Sequence, residues 1–193
     1  WNPMHGVRML AASRGSLVRW GVGGWLFVIA GLVCVPFLPG ETSRALGQWL
    51  LQGAFRTFLL LLRLFGVLRV EYRGLDKLRD STGGLIVAPN HPALWDAVCV
   101  IARIEGLRCI LKASLLHNPI LVGGATLAGF IPNKPVHKMV QRSIEALRQG
   151  ERLLFFPEGT RTRKQEGVVN PFQGGIGIIA AQSGAPVWHV FIE

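Results

Sequence analysis

Cysteine is scarce. Only Cys34, Cys99 and Cys109 occur in 193 residues, each in apolar surroundings, and no CxxC pair is present. That excludes a disulfide framework and a cysteine-based zinc site. Free buried thiols fit a folded part that faces a reducing cytoplasm. No cluster with metal-ligand spacing appears, so neither a metal nor any other cofactor is expected. Acidic residues are also few: 11 Asp and Glu stand against 21 Lys and Arg, a formal net charge of +10. Hydrophobic residues make up 50% of the chain, and its mean hydropathy is +0.37. A basic and apolar chain points to an anionic membrane surface. Nucleic-acid binders interleave aromatics with their charges, whereas most aromatics of this chain sit inside apolar runs, which argues against nucleic acid as a partner. Internal repeats and low-complexity tracts are missing too, and the length suits one domain of ordinary size with its own core.

Charge is missing altogether between Arg19 and Glu41, where the run is "WGVGGWLFVIAGLVCVPFLPG". About twenty helical residues cross a ~30 Å hydrocarbon core. Pro36 and Pro39 spoil the last part, leaving roughly fifteen good residues and ~22 Å, a marginal span. The run lacks a clear small-x-small cleavage site, and Arg8, Arg14 and Arg19 before it favour a cytoplasmic N-terminus. A second apolar segment, "ALGQWLLQGAFRTFLLLLRLFGVLRVEYR", carries Arg56 and Arg63 two helical turns apart on one face. It reads as an amphipathic interfacial helix, or as the second arm of a hairpin with snorkelling arginines. Two core helices of a soluble protein are the competing reading. Residues 1–70 are therefore expected to form a membrane-associated helical region, and residues 71–193 a separate α/β domain. The chain starts at Trp1 and stops inside the apolar run "VWHVFIE", so either end reads as a boundary that falls short of the natural one.

After residue 70 the texture changes. "LIVAP" predicts a buried strand, "LWDAVCVIARI" a helix and "RCILKA" a second strand. "SLLHNPILVGGATLAG" is helical with a break at Pro119, and "FI" before Pro132 is a short strand. Val136, Met139, Val140, Ile144 and Leu147 recur with a 3.6-residue period, and Gly150 supplies a stop. "RLLFF", "GGIGIIAAQSG" and "APVWHVFI" add a strand, a helix and a last strand. Alternation of this kind predicts an α/β fold, a mostly parallel central sheet flanked by helices.

Two short stretches carry polar chemistry. In "NHPALWD", His91 and Asp96 are five residues apart. On a continuous helix they would diverge by roughly 140°. Pro92 biases His91 to extended backbone and suits a first helical position. His91 then lies on a strand-to-helix turn, and Asp96 in the opening turns can reach back to one imidazole nitrogen. Asn90 is placed to steady that turn. The plainer reading is a helix cap, with Asp96 facing the helix dipole. The second stretch, "FPEGTR" (Phe156–Arg161), follows the strand "RLLF". Pro157 and Gly159 suit a tight turn. Glu158 falls at a strand's C-terminal end, where α/β proteins build sites. Arg161, with Arg163 and Lys164 behind it, offers a fork suited to phosphate.

Together, the H-x4-D pattern of His91 and Asp96 and the F-P-E-G-T-R block resemble the glycerolipid acyltransferase family, the enzymes that acylate glycerol-3-phosphate and lysophosphatidic acid. Lys112 in "ILKASLL" looks like that family's lysine between the two blocks, and "NPFQGGIGIIA" resembles the segment after the second. Two departures stand out. The chain has "GFIPNKPVHK" where the family commonly has an isoleucine-rich stretch ending in Arg, so Lys134 stands in for an acceptor-binding arginine. His189 occupies the second proline of the family's V-P-x-x-P strand.

The resemblance implies that His91, oriented by Asp96, is the general base on an acceptor hydroxyl. That hydroxyl attacks the thioester of acyl-CoA or acyl-carrier protein directly, and no Ser or Cys nucleophile motif is visible. Glu158, Gly159, Thr160, Arg161, Lys112 and Lys134 would form or support the phosphate site of a lysophospholipid, with 1-acylglycerol-3-phosphate as the leading acceptor. The setting implied is a bacterial inner membrane with the site facing the cytoplasm. Other readings keep the chemistry on another lyso-lipid or glycolipid, reduce the chain to a silent membrane-bound homologue, or let His91 activate water. No carboxylate partner is evident for His117, His137 or His189.

Overall fold

The computed structural model describes residues 40–75, 78, 81–93, 95–162 and 170–192. The apolar run before Gly40, with Arg8, Arg14, Arg19 and Cys34, lies outside the described residues, as do Arg163 and Lys164. Five helices are described: α1 (Gly40–Leu64), α2 (Asp96–Arg103), α3 (Pro119–Leu127), α4 (Val136–Arg148) and α5 (Gly175–Ser183). They surround the strands β1 (Leu85–Pro89), β2 (Leu107–Leu111), β3 (Ile131–Pro132), β4 (Arg152–Leu154) and β5 (Val187–Val190). The strands form one sheet in the order β3-β2-β4-β1-β5. Each neighbouring pair is parallel, with Ile86 opposite Leu153 and Val187, and Cys109 opposite Leu154. This is the parallel α/β sheet that the alternating pattern predicted.

A parallel sheet covered on both faces needs apolar residues in unbroken runs. β1, "LIVAP", is buried at every position. Its side chains alternate between two cores. Leu85 and Val87 join Val100, Ile101, Leu107, Cys109 and Leu154 on one face. Ile86 joins Ile131, Met139, Ile144, Leu153, Phe155 and Ile179 on the other. Helices α2 and α4 therefore cover opposite faces.

Helix α1 is built from good helix formers, with Glu41 in its first turn and Arg63 in its last, as the helix dipole favours. It does not stand away from the sheet. Ser43, Gly47, Leu51, Gln52 and Phe58 are buried, and Phe55 packs on the core cluster that holds α2. Gly47 sits so close to α3 that a Cβ would lie 2.5 Å from the Leu127 carbonyl. Arg56 is half exposed and also engaged within the protein: its Nε donates to the Ala102 carbonyl at 2.8 Å, and its guanidinium pairs with Glu105 at 3.3 Å. The other side of the helix is open, with Trp49 70%, Leu60 54% and Leu64 70% exposed.

Candidate active site

All four strands β3, β2, β4 and β1 point the same way, so their C-terminal ends form one edge. Lys134, Lys112, Glu158 and His91 follow those ends in that order. Helix α2 begins at Asp96, four residues later than the first position expected at Pro92. The cause is local. One carboxylate oxygen, Asp96 Oδ2, accepts the Ala93 N–H at 2.8 Å and meets His91 Nδ1 at 2.9 Å. That one oxygen ties both His91 and Ala93 back to the first residue of the helix.

Asp96 is buried, at 3% exposure, and lies in the first helical turn, where the dipole favours an anion. An ionised carboxylate only accepts hydrogen bonds. The proton of a neutral His91 ring therefore sits on Nδ1, and Nε2 keeps its lone pair. The ring is 21% exposed at its side chain and lies against Phe156, with centroids 4.3 Å apart. Phe155 turns to the opposite core, whereas Phe156 packs against the core that holds α2 as well as against His91.

Glu158 is 3% exposed, and its carboxylate is already engaged. Oε1 accepts the His91 N–H at 3.1 Å and the Thr162 hydroxyl at 2.7 Å; Oε2 accepts the Asn170 N–H at 3.1 Å. Thr162 adds to the same lock. Its Oγ1 accepts the His91 N–H at 3.0 Å, and its own N–H donates to the His91 carbonyl at 2.7 Å. The "FPEGTR" loop thus grips the backbone of His91 on both sides. Sequence reading passed over Thr162, which falls just past the hexapeptide in a stretch that looks like a basic loop. It also passed over Asn170, whose Nδ2 donates to the Arg161 carbonyl at 3.0 Å.

Gly159 has φ +63°, and a Cβ there would collide with the Gln173 amide. The turn predicted from Pro157 and Gly159 exists, and it needs the glycine. Thr160 and Arg161 follow it, both exposed. The Asn90 side chain turns to the neighbouring strand instead of its own turn: it donates to the Ile192 carbonyl at 2.9 Å and accepts the Ile192 N–H, fastening the chain after β5. Lys112 and Lys134 are exposed, and Asn133 links their loops by accepting the Ala113 N–H at 2.9 Å and donating to the Leu111 carbonyl at 2.8 Å. Burial, helped by the nearby Asp96 charge, pushes the Cys99 thiol up to about 11. Burial, then the neighbouring Cys99, pushes the Tyr72 hydroxyl up to about 12, against an opposing pull from Arg103. Neither group is ionised near neutral pH.

The Acyltransferase family model matches residues 69–193. The chain is 27% identical over 124 residues to a chloroplastic 1-acyl-sn-glycerol-3-phosphate acyltransferase of Brassica napus, covering 62% of this chain and 36% of that protein. It is 27% identical over 158 residues to the 1-acyl-sn-glycerol-3-phosphate acyltransferase of Pseudomonas aeruginosa, covering 79% of this chain and 59% of that one. The chain thus spans about a third of the first relative and under two thirds of the second. The crystal structure of the 1-acyl-sn-glycerophosphate (LPA) acyltransferase of Thermotoga maritima has the same fold, with a TM-score of 0.71 at 18% identity, over 96% of this chain and 73% of that one.

Proposed function

Because this chain belongs to the Acyltransferase family, we propose that it moves a fatty acyl group from acyl-CoA or acyl-carrier protein to the free hydroxyl of a lysophospholipid, 1-acylglycerol-3-phosphate first among them. One observation carries the reading: the 2.9 Å contact between His91 Nδ1 and a buried Asp96, which leaves Nε2 basic. Nε2 takes the hydroxyl proton as the oxygen attacks the thioester carbonyl. The C–O bond forms, the C–S bond breaks, and the imidazolium returns its proton to the leaving thiolate. Asp96 stabilises the imidazolium formed between those events.

Lys112, Lys134 and Arg161 are the cations for the acceptor phosphate, with Gly159 and Thr160 shaping the loop. Glu158 supports the site through His91, since its oxygens are already occupied. The setting is a membrane surface, with the site on the cytoplasmic side of a bacterial inner membrane. Support comes from the open side of α1 with Trp49, Leu60 and Leu64, and from the 25-residue length of that apolar helix.

The test is acyl transfer by the detergent-purified chain, read by mass spectrometry against a panel of lysolipids. His91→Ala should lower turnover by about a thousandfold or more without unfolding the protein. Undiminished turnover in that variant would sink the mechanism. Lys134 in place of an arginine favours a second acceptor, a lyso-glycolipid or another lyso-lipid, because an ammonium binds as a point charge rather than a fork. The same panel decides between them.

A further inference from the structure

Helix α2 is short, eight residues, and Asp96 is its first. Its fixed position decides whether the carboxylate meets His91. Asp96 ties its start to the Ala93 N–H, Trp95 adds no side-chain cap, and the rest of its placement comes from what grips it from outside. Helix α1 touches it at both ends. At the far end, Gln52 Nε2 donates to the Ile101 carbonyl at 3.2 Å and Arg56 Nε to the Ala102 carbonyl at 2.8 Å. These carbonyls belong to the last turn, where a helix has no partners of its own. At the near end, the Phe58 ring lies 5.0 Å from the ring of Trp95, the residue next to Asp96. Gln52 and Phe58 are buried, at 6% and 9% exposure.

We infer that Gln52, Arg56 and Phe58 of α1 are positioning residues for the His91–Asp96 pair, acting through α2. A helix that serves only to hold the protein on a membrane has no need of a buried amide and a part-buried guanidinium bonded to the helix that bears Asp96. A carboxylate held at 2.9 Å from Nδ1 tolerates little displacement, and misplacement by ~1 Å costs as much as a hundredfold in rate.

The inference rests on the acyl-transfer reading for its kinetic test, and a second measurement is independent of turnover. The first compares wild type, Phe58→Ala, Asp96→Asn and the double variant, each the full chain in detergent, with palmitoyl-CoA or palmitoyl-acyl-carrier protein and 1-acylglycerol-3-phosphate. Phe58→Ala should lower kcat about tenfold while leaving the acceptor KM within about twofold. In the Asp96→Asn background it should cost nothing further, because the two act as one unit. Phe58→Tyr, which keeps the ring, should restore most of the rate. The second measurement is amide exchange by mass spectrometry: residues 95–103 should exchange faster in Phe58→Ala while β1 and β4 stay protected. Equal losses in both backgrounds, or unchanged exchange at 95–103, would overturn the inference. A wild type with no acyl transfer would sink the functional reading alone, and exchange would then decide the positioning role. If Phe58→Ala does not fold, Arg56→Met gives the same comparison with about a threefold expected loss.

Discussion

Strand β4 has a glutamate beyond each end, and the two are held in opposite ways. Glu151, just before the strand, is gripped by two cations: Arg44 of α1 and Arg108 of β2, the latter at 2.7 Å. Arg108 also donates to the Gly129 carbonyl at 2.8 Å. This partly buried network ties helix, sheet and loop together. Glu158, beyond the other end, is more deeply buried, yet its donors are neutral: two peptide N–H groups and a hydroxyl. One carboxylate fastens elements by charge. The other sets the positions of two backbone segments, those of His91 and Asn170, by hydrogen bonds alone. A parallel sheet encourages this division, since its strand starts are far from the crevice and its strand ends line it.

The sharpest way to break the contrast is to delete each acid. Glu158→Ala should cost both stability and turnover: the Asn170 N–H loses this acceptor, at ~1–3 kcal/mol for a buried donor, while the His91 N–H keeps Thr162 Oγ1 as its one remaining acceptor of the two. Glu151→Ala should cost stability alone, on the order of 1–3 kcal/mol for two partly buried arginines left without their anion. Chemical denaturation beside initial rates on the folded fraction checks both. If Glu151→Ala lowers kcat as much as Glu158→Ala does, the contrast is wrong.

A subtler variant sharpens it. Thr162→Val keeps the shape and the backbone bond to the His91 carbonyl, and removes the hydroxyl that bridges His91 and Glu158. Turnover should fall about tenfold, with Thr162→Ser restoring it: the valine loses two hydrogen bonds, those to the His91 N–H and the Glu158 carboxylate, but the His91 N–H keeps Glu158 Oε1, for a net cost of ~1–1.5 kcal/mol. Equal rates for the valine and serine variants would assign Thr162's role to its backbone alone.

The middle of the sheet should respond to pH and to neither acid. Burial pushes the Cys109 thiol from 9.0 up to about 12. Its folded-state value lies above its unfolded one, so the stability it contributes is fully present below pH 9 and is lost as pH rises toward 12. Urea melts across that window should decline less steeply for Cys109→Ala than for wild type, and matching slopes would refute the assignment. The smallest effect is expected at Ser143 in α4, which is wholly buried and whose hydroxyl has no partner among the described residues. Ser143→Ala should be neutral or stabilising by up to ~1 kcal/mol, read as a rise in melting temperature.

The strands and most helices could be read directly, because buried parallel strands are continuous apolar runs and α4 keeps a 3.6-residue period. "LIVAP" and "VHKMVQRSIEALR" fell where their patterns put them. The pairing of His91 with Asp96 was equally accessible, since Pro92 restricts the backbone ahead of it. The late start of α2 was not. It goes with Asp96 turning back to the Ala93 N–H, a helix-start bond that leaves no trace in periodicity. The roles of Thr162 and Asn170 were also invisible: Thr162 meets Glu158 four residues back, but the partner that gives the bond its meaning, His91, lies 71 residues away, and Asn170 reaches Glu158 across 12 residues.

Helix α1 shows the same division most fully. Composition made it apolar and helical, and spacing put Arg56 and Arg63 on one face. Neither reveals that Arg56 reaches the end of α2 or that Gly47 is needed against the Leu127 backbone. Local propensity and hydrophobic period act over a few residues, so the sequence alone determined the elements, their order and the two site motifs. Hydrogen bonds between distant loops depend on where the strands end in space. Only the tertiary structure decided that Glu158 and Thr162 hold His91, and that α1 grips the helix carrying Asp96.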